Sequence, residues 1–173
     1  MEKLLYLTAE FDNTTQIVLK DYEKIIKENG FVGKQTKDIP YHITLCTYTP
    51  DMENLIVKMI EDIESKNVFK AFNISFSSFG LFGLNVLFLN PEMNMKLIEL
   101  YNFIKNKGLY KDSDLAAHVT LLIDEPEIIM NILPKMVEEF KKRNEKINGK
   151  IKYLSSIEYF PRRFIKRIEL QDN

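Results

Sequence analysis

The two histidines of this 173-residue chain occur in the same short pattern, His-x-Thr followed by an apolar residue. The first copy is His42-Ile43-Thr44-Leu45 and the second is His118-Val119-Thr120-Leu121. Both patterns predict apolar β-strands, in which successive side chains point to opposite faces. Each histidine therefore shares a face with the threonine two residues later. The sequence predicts two strands that each present an imidazole and a hydroxyl together.

Two imidazoles and two hydroxyls in one cleft suit acid–base chemistry on a phosphodiester. Because the histidine pKa lies near neutrality, a neutral ring can accept a proton from the attacking oxygen while a protonated ring donates one to the leaving oxygen. Threonine hydroxyls can hold the non-bridging phosphate oxygens as charge develops. For either threonine alone, the alternative is ordinary strand propensity. The predicted catalytic residues are His42, Thr44, His118 and Thr120, and the sequence leaves open which histidine is the base.

The same order of elements surrounds both patterns: strand, helix, His-Thr strand, helix, strand. The leading strands are predicted to begin near Leu4 and Leu84. We therefore predict an α+β fold with two pseudo-symmetric lobes, each a small antiparallel sheet backed by helices, around a central cleft. No linker rich in Gly, Ser or Pro divides the halves. Residues 1–173 are accordingly predicted to form a single bilobal domain, with repeat halves at roughly 1–80 and 81–173.

Glycine and proline set the expected boundaries in the second half of the chain. Gly80-Leu81-Phe82-Gly83 predicts the turn of a hairpin, and Asn90-Pro91 predicts the start of a helix. A further helix is expected after Asp124-Glu125-Pro126, with a kink or break at Pro134. Pro161-Arg162-Arg163 predicts a tight turn between the last two strands.

Composition excludes several classes of protein. The chain is 45% hydrophobic and 28% charged, as is typical of soluble globular proteins, and no apolar run approaches the roughly 20 residues of a membrane span. Its start lacks the pattern of a signal peptide. The single cysteine cannot form an internal disulfide, which favours a cytoplasmic location without a membrane partner. A net charge of −1 argues against a general nucleic-acid coat but not against a local basic site. The oligomeric state is not fixed, and a monomer is favoured.

His42-Ile43-Thr44-Leu45 and His118-Val119-Thr120-Leu121 resemble the two motifs that define the 2H phosphoesterases, which include bacterial 2′,5′-RNA ligase-like proteins and cyclic phosphodiesterases. The order of elements resembles that family over nearly the whole chain. The resemblance implies a bilobal fold with a central cleft and catalysis without a metal or other cofactor. It also implies that the substrate is a nucleotide or RNA end with a 2′,3′-cyclic phosphate or a 2′,5′ linkage. Some members of the family catalyse weak reverse RNA ligation.

The chain departs from the family at the cation that helps to bind phosphate. In RNA ligase-like members an arginine often follows the motif, whereas Cys46-Thr47 and Leu122-Ile123 stand here. The basic residues of 143–167 are the candidate replacement, because a positive patch attracts a polyanion. Arg163 and Lys166 are the predicted phosphate-binding residues of this segment. The alternative is a solvated ribbon whose basic residues protect a sheet edge.

Aromatic side chains and the cysteine give weaker signals. Cys46 lies two residues beyond Thr44, which places it on the cleft face by strand alternation. No neighbouring residue marks it as a nucleophile, and a small buried hydrophobe is the better prediction. Most Phe and Tyr residues are needed for the core, but a base can stack on an aromatic ring at a cleft rim. The candidates are Tyr6, Tyr41, Phe82 and Tyr110.

Two other functions are weighed against catalysis by paired histidines. Two histidines without a further Cys or His cluster fall short of the three or four protein ligands of a zinc site. Alternatively, the same fold binds nucleotide or RNA without turnover, as a sensor or adaptor module. The presence of both histidines and both threonines favours the enzyme. Turnover of cyclic-phosphate substrates distinguishes the two cases.

Overall fold

A computed structural model of the chain describes residues 3–30, 39–111, 115–159 and 161–172. Within these ranges seven strands form one antiparallel sheet: β1 (Leu5–Phe11), β2 (His42–Tyr48), β3 (Phe72–Phe82), β4 (Val86–Pro91), β5 (Val119–Ile123), β6 (Ile147–Tyr159) and β7 (Arg162–Glu169). The same ranges hold four α-helices: α1 (Asn13–Glu28), α2 (Glu53–Lys66), α3 (Met95–Lys105) and α4 (Pro126–Lys142). A short 3₁₀ turn at Pro50–Met52 leads into α2.

The strand order displays the repeat that the sequence predicts. The strands are hydrogen-bonded in the order β2-β1-β6-β3-β4-β5, with β7 also paired to β6. If β1 is exchanged with β4, β2 with β5 and β3 with β6, the order becomes β5-β4-β3-β6-β1-β2. This is the original order read from its other end, which is the relation that a two-fold axis between β6 and β3 requires. The predicted α+β fold is confirmed. The two expected sheets are joined into one because β6 pairs with β3 over residues 147–151 and with β1 over residues 151–157.

The two faces of the sheet have different chemistry. On β1, Leu5, Leu7, Ala9 and Phe11 alternate along the strand and are at most 1% exposed. This apolar face packs beneath the helices, as alternation predicts for a strand with one face toward the core. We call it the core face. The opposite face bears the histidine of β2, and we call it the cleft face.

The two strands that bear the motifs approach each other in space. β2 and β5 stand at opposite ends of the hydrogen-bonded order, yet their Cα atoms come within 8 Å. The backbone nitrogen of Lys111 also donates to the carbonyl of Thr47 at 2.7 Å, which ties the segment before β5 to β2. The sheet therefore curves until its two motif strands lie side by side. None of the helices described is both long and apolar enough to cross a bilayer.

The expected hairpin turn is wrong by three residues. β3 continues through Gly80 to Phe82, which pairs with Val86 of β4. The turn itself spans residues 83–85, and Gly83 supplies a positive φ of 54°. Gly80 is instead an extended strand residue, and it is the close packing of the Phe88 ring that leaves no room for a side chain there. Local sequence cannot distinguish a glycine needed for a turn from one needed for close packing.

Three further boundaries differ from expectation. Pro91 ends β4, and α3 begins only after Asn94, whose side chain caps the helix by accepting from the backbone nitrogen of Leu97. α4 is not split at Pro134. The carbonyl of Met130, four residues earlier, loses its partner there, but Met130 is half exposed and water can satisfy it. The two arginines expected in the last turn belong to β7.

Candidate active site

A β-bulge follows the threonine of the first motif. Leu7 pairs with Cys46 and the next residue, Thr8, pairs with Thr44, so Leu45 is the extra residue. The bulge returns Cys46 to the core face with Leu7, which corrects its placement on the cleft face by simple alternation. Cys46 is buried, and burial raises the pKa of its thiol to about 12. It is a core residue, as predicted, and not a nucleophile.

The second motif has the same bulge at the equivalent position. Leu87 pairs with Leu122 and the next residue, Phe88, pairs with Thr120, so Leu121 is the extra residue. In both halves the threonine stays on the cleft face, and the bulge allows the two residues that follow the threonine to enter the core. Both threonines are partly exposed.

Matching hydrogen bonds orient the two imidazoles. Nδ1 of His42 donates to the carbonyl of Pro40 at 2.7 Å, and Nδ1 of His118 donates to the carbonyl of Ala116 at 2.5 Å. A carbonyl oxygen only accepts, so Nδ1 bears a hydrogen in each ring and Nε2 has the lone pair of the neutral form. Each Nε2 is therefore the atom that exchanges protons with a ligand.

Helix α1 fixes the segment that orients His42. The amide nitrogen of Gln16 donates to the carbonyl of Tyr41 at 2.8 Å, and the backbone nitrogen of Tyr41 donates to the amide oxygen of Gln16 at 3.0 Å. This side chain pairs with the backbone at the end of β2 as a neighbouring strand would. It thereby holds the adjacent Pro40 carbonyl in place for His42.

The surroundings of His42 are polar. The hydroxyl of Tyr159 donates to Nε2 of His42 at 2.8 Å, and the two rings stack with centroids 5.8 Å apart. Tyr6 packs against Tyr159, with ring centroids 4.6 Å apart. Glu10 of β1 is the register partner of His42 and is only 2% exposed. A neutral His42 ring therefore has a donor on Nε2 and a carboxylate beside it.

Burial lowers the pKa of His42 below its usual 6.5, and the charge of nearby His118 lowers it further. The Pro40 carbonyl and the Glu10 carboxylate act in the opposite sense but do not outweigh burial. Burial also raises the pKa of Tyr159, so its phenol stays protonated and remains a donor. His42 is therefore uncharged at neutral pH.

The surroundings of His118 are aromatic. The rings of Phe82 and Phe88 meet His118 edge-on at centroid distances of 4.8 and 5.3 Å, and they stack on each other at 4.3 Å. We call these two rings the aromatic wall. Phe88 lies directly over Gly80, where a Cβ would come within 2.4 Å of its ring. Close packing of this ring explains the glycine. Of the four aromatics considered for base stacking, only Phe82 and Tyr6 belong to these contacts.

Arg163 and Lys166 are not brought to the histidines. Arg163 forms ion pairs with Glu53 of α2 at 2.7 Å and with Glu158 at 3.1 Å. Lys166 forms an ion pair with Glu61 of α2 at 3.1 Å. Both side chains therefore fasten β7 to α2 on the core face. Because both side chains are paired with carboxylates of the protein, their presence in this hairpin is explained without a bound ligand.

A basic side chain that does come near the first motif is Arg167, which sequence reasoning did not select. Its Nη2 lies 2.9 Å from the Glu10 carboxylate, and its guanidinium lies over the Tyr153 ring at 4.0 Å. Glu10 pairs in register with both Tyr153 and His42, so these residues share the cleft face. The sequence did contain a signal for this arginine. Glu10 is a carboxylate within the apolar strand β1, and a buried charge requires a partner of opposite charge.

Three of the predicted catalytic residues, His42, Thr44 and Thr120, lie on β2 and β5, His118 immediately precedes β5, and the Cα atoms of these two strands approach within 8 Å. Such a set can transfer two protons and hold an anionic centre between them. In the described part of the chain, no group of three or more His, Cys, Asp and Glu side chains is arranged to hold a metal ion.

Comparison with known proteins gives similarity in structure only. No protein-family model matches the chain, and no curated protein sequence is significantly similar to it. A crystal structure of a phosphoesterase is similar with a TM-score of 0.58 at 15% identity, over 98% of this chain and 99% of that chain. E. coli LigT complexed with 3′-AMP gives a TM-score of 0.57 at 15% identity, over 97% of each chain.

LigT complexed with ATP is also similar, with a TM-score of 0.57 at 15% identity, over 99% of this chain and 100% of LigT. The likeness extends over both chains almost from end to end, so it concerns the whole architecture and not one shared segment. The resemblance to 2H phosphoesterases that the motifs suggested is thereby confirmed for the fold. This chain has the fold of E. coli LigT.

Proposed function

We propose that the chain is a phosphodiesterase that hydrolyses a 2′,3′-cyclic phosphate or a 2′,5′-linked nucleotide or RNA end, without a metal or other cofactor. The observation that supports this most is the matched anchoring of the two histidines, since each Nδ1 donates to a carbonyl two residues earlier. Proton transfer therefore falls to the two Nε2 atoms, and at His42 the attacking water takes the place of the Tyr159 hydroxyl on Nε2. The likeness to LigT, which has been crystallised with 3′-AMP, ATP and NADP+, favours a nucleotide substrate.

In this reaction His42 is the general base and His118 the general acid. Nε2 of neutral His42 takes a proton from a water molecule as the water oxygen bonds to phosphorus. The bond between phosphorus and the leaving ribose oxygen breaks, and Nε2 of protonated His118 donates a proton to that oxygen. Thr44 and Thr120 donate hydrogen bonds to the non-bridging oxygens. The same steps in the same direction, with a hydroxyl of a second ribose attacking phosphorus in place of water, join the two strands through a new phosphodiester and account for weak ligation.

A substrate panel tests the proposal: 2′,3′-cyclic nucleotides, 2′,5′-oligoadenylates and RNA ending in a cyclic phosphate. We expect turnover of at least one class, undiminished by a strong chelator. His42→Ala and His118→Ala should each lower kcat/KM by about 10²–10⁴-fold, the usual contribution of one acid–base group. Lys24→Ala, which changes an exposed residue of α1, serves as the purification control and should retain full activity.

The competing function is a binding module on the same fold. If the wild-type protein binds a member of the panel tightly but turns over none, the catalytic proposal is wrong and the module is supported. Activity that survives in either histidine variant would instead reject the two-histidine scheme. Loss of activity with chelator, restored by added zinc, would support the metal site that the sequence disfavours.

A further inference from the structure

A polar groove opens beside His42, on the Nδ1 side of its ring. Its walls are the outer face of α1, residues 39–41 and Arg167. Its volume is about 600 Å³, which lies in the range of small-ligand sites. We call it the α1 groove. Most of the side chains that line it are polar or charged, so it suits a phosphate and ribose better than a base.

Two residues that line the α1 groove also have contacts that lead to the candidate active site. Pro40 forms part of its wall and accepts the hydrogen bond from His42. Arg167 also lines the groove, and it is ion-paired to Glu10, the register partner of His42. A ligand bound at the histidines therefore needs only to extend past Arg167 to enter the groove.

The charges of the groove favour an anion. Among the described residues that line it, the acidic side chain is Glu23, which is ion-paired to Lys27 at 2.5 Å. Lys20 has no carboxylate within ion-pair distance among the residues the structure describes. Nη2 of Arg167 lies 2.9 Å from Oε2 of Glu10 without the geometry of a hydrogen bond, and a guanidinium has five N–H donors in all. Lys20 and Arg167 thus present uncommitted donors to one space.

We infer that the α1 groove binds the phosphodiester adjacent to the reacting phosphate, so that the substrate is an oligonucleotide end and not a mononucleotide; this rests on the proposed phosphodiesterase function. Arg167 is fixed at the boundary by Glu10 and by the Tyr153 ring, and its remaining donors face the bridging nucleotide. Lys20 lies further along α1 and binds the phosphodiester next to the reacting phosphate as a point charge. The groove is a subsite, and the chemistry stays at the histidines.

Two substrates that differ by one phosphodiester test the inference: 2′,3′-cyclic AMP and the dinucleotide ApA ending in a 2′,3′-cyclic phosphate. We expect the wild type to prefer the dinucleotide by about tenfold in kcat/KM, as for one charge-assisted contact. Lys20→Ala should remove about three- to tenfold of this preference and leave turnover of 2′,3′-cyclic AMP unchanged. Lys24→Ala is the matched control, because Lys24 is on the same helix but does not line the groove and pairs with Glu28.

Salt dependence gives a second readout, since each phosphate contact to a single strand contributes about −0.7 to the slope of log affinity against log salt. Lys20→Ala should make this slope shallower by about that amount for the dinucleotide alone. Arg167→Lys keeps the charge opposite Glu10 but loses the fork of donors, so it should also weaken the dinucleotide preference. A thermal melt confirms that each variant is folded.

Equal kcat/KM for the two substrates, or a Lys20→Ala variant that behaves like Lys24→Ala, overturns the groove assignment and leaves the phosphodiesterase proposal intact. If the wild type turns over neither substrate, the phosphodiesterase proposal fails for cyclic phosphates, and equilibrium binding of the same two compounds then tests the groove. Tenfold tighter binding of the dinucleotide, lost in Lys20→Ala, supports the groove in that case. Equal affinities reject it.

Discussion

His42 and His118 are anchored alike but surrounded differently. His42 has the hydroxyl of Tyr159 on Nε2 and the Glu10 carboxylate beside it, whereas His118 lies against the aromatic wall of Phe82 and Phe88. The repeated fold thus places two equivalent rings in unlike environments. Unlike environments are what separate an acid from a base when both are the same residue type.

The lowered pKa of His42 predicts the acidic limb of the pH profile. A base must be neutral, and His42 becomes neutral at a lower pH than an ordinary histidine because burial disfavours its charged form. We expect the acidic limb of kcat/KM to have an apparent pKa below 6.5, as measured with the best substrate across pH 4 to 9. An acidic limb at or above 6.5 would contradict the assignment of His42 as the base.

The same shift predicts how acid affects stability. Between the folded pKa of His42 and about 6.5, the unfolded chain binds more protons at this position than the folded chain, so stability rises with pH there. The contribution is complete above 6.5 and is lost as the pH falls toward the folded pKa. In His42→Gln this dependence should disappear, which urea unfolding at pH 5 and pH 7.5 can measure. An unchanged difference between the two pH values would show that other groups cause it.

The Tyr159 hydroxyl is predicted to compete with the attacking water for Nε2 of His42. Tyr159→Phe keeps the stacking against His42 and Tyr6 but removes the hydrogen bond, whose net worth is about 1 kcal/mol. We expect kcat/KM to rise about fivefold, because this bond no longer has to break before Nε2 accepts a proton. Tyr101→Phe, in α3, is the matched control. A Tyr159→Phe variant with the kcat/KM of the wild type would show that the hydroxyl does not limit the reaction.

Single residues divide clearly into those that local pattern predicts and those that it does not. The placement of both histidines and both threonines follows from strand alternation, which requires only neighbouring residues. Arg167 and Tyr159 reach the site through strand register with β1 and β2, and register between distant segments cannot be obtained from local spacing. For the same reason, Arg163 and Lys166 could not be recognised as partners of α2.

At the scale of elements, the two bulges and the β3–β4 hairpin set the shape of the cleft. The order and type of the helices and strands were predictable from apolar periodicity and helix-stop signals. The bulges at Leu45 and Leu121 were not, because an extra residue in one strand is defined only by its partner. Gly80 was interpreted as a turn residue because its contact with Phe88 is tertiary.

Gly80→Ala is predicted to disturb both stability and the aromatic wall. The added Cβ would lie 2.4 Å from the Phe88 ring, which must move away from His118 and Phe82. We expect a loss of about 1–3 kcal/mol in the free energy of unfolding, as for other overpacked sites, and a lower kcat/KM. Urea titration measures the free energy of unfolding. Ser78→Ala, on the same strand, is the control and should lower it by less than about 0.5 kcal/mol.

A second substitution separates overpacking from other effects of Gly80→Ala. Replacing Phe88 by Leu in the Gly80→Ala background makes room for the new methyl group, so the double variant should be more stable than the sum of the single changes predicts. Strict additivity would mean that Phe88 does not mediate the effect.

At the scale of the whole molecule, β6 makes the two halves one structure. Its first residues pair with β3 of one half, its later residues pair with β1 of the other, and Ile151 pairs with both Phe11 and Phe72. The active-site cleft depends on this junction, because the two motif strands lie at opposite ends of the sheet and meet only through its curvature. A break at β6 would separate His42 from His118 without changing either motif.

The shared strand predicts that the chain unfolds in a single transition, as one domain, despite its internal repeat. Calorimetry should give equal calorimetric and van't Hoff enthalpies. Ile151→Ala should cost about 2–5 kcal/mol, because Ile151 is fully buried at the junction, and it should lower the one transition without splitting it. Met130→Ala, at a half-exposed site, is the control and should change stability by less than about 0.5 kcal/mol. Two resolved transitions would mean that each half folds alone and that the cleft forms by docking, in which case Ile151→Ala would abolish activity before it lowered the stability of either half.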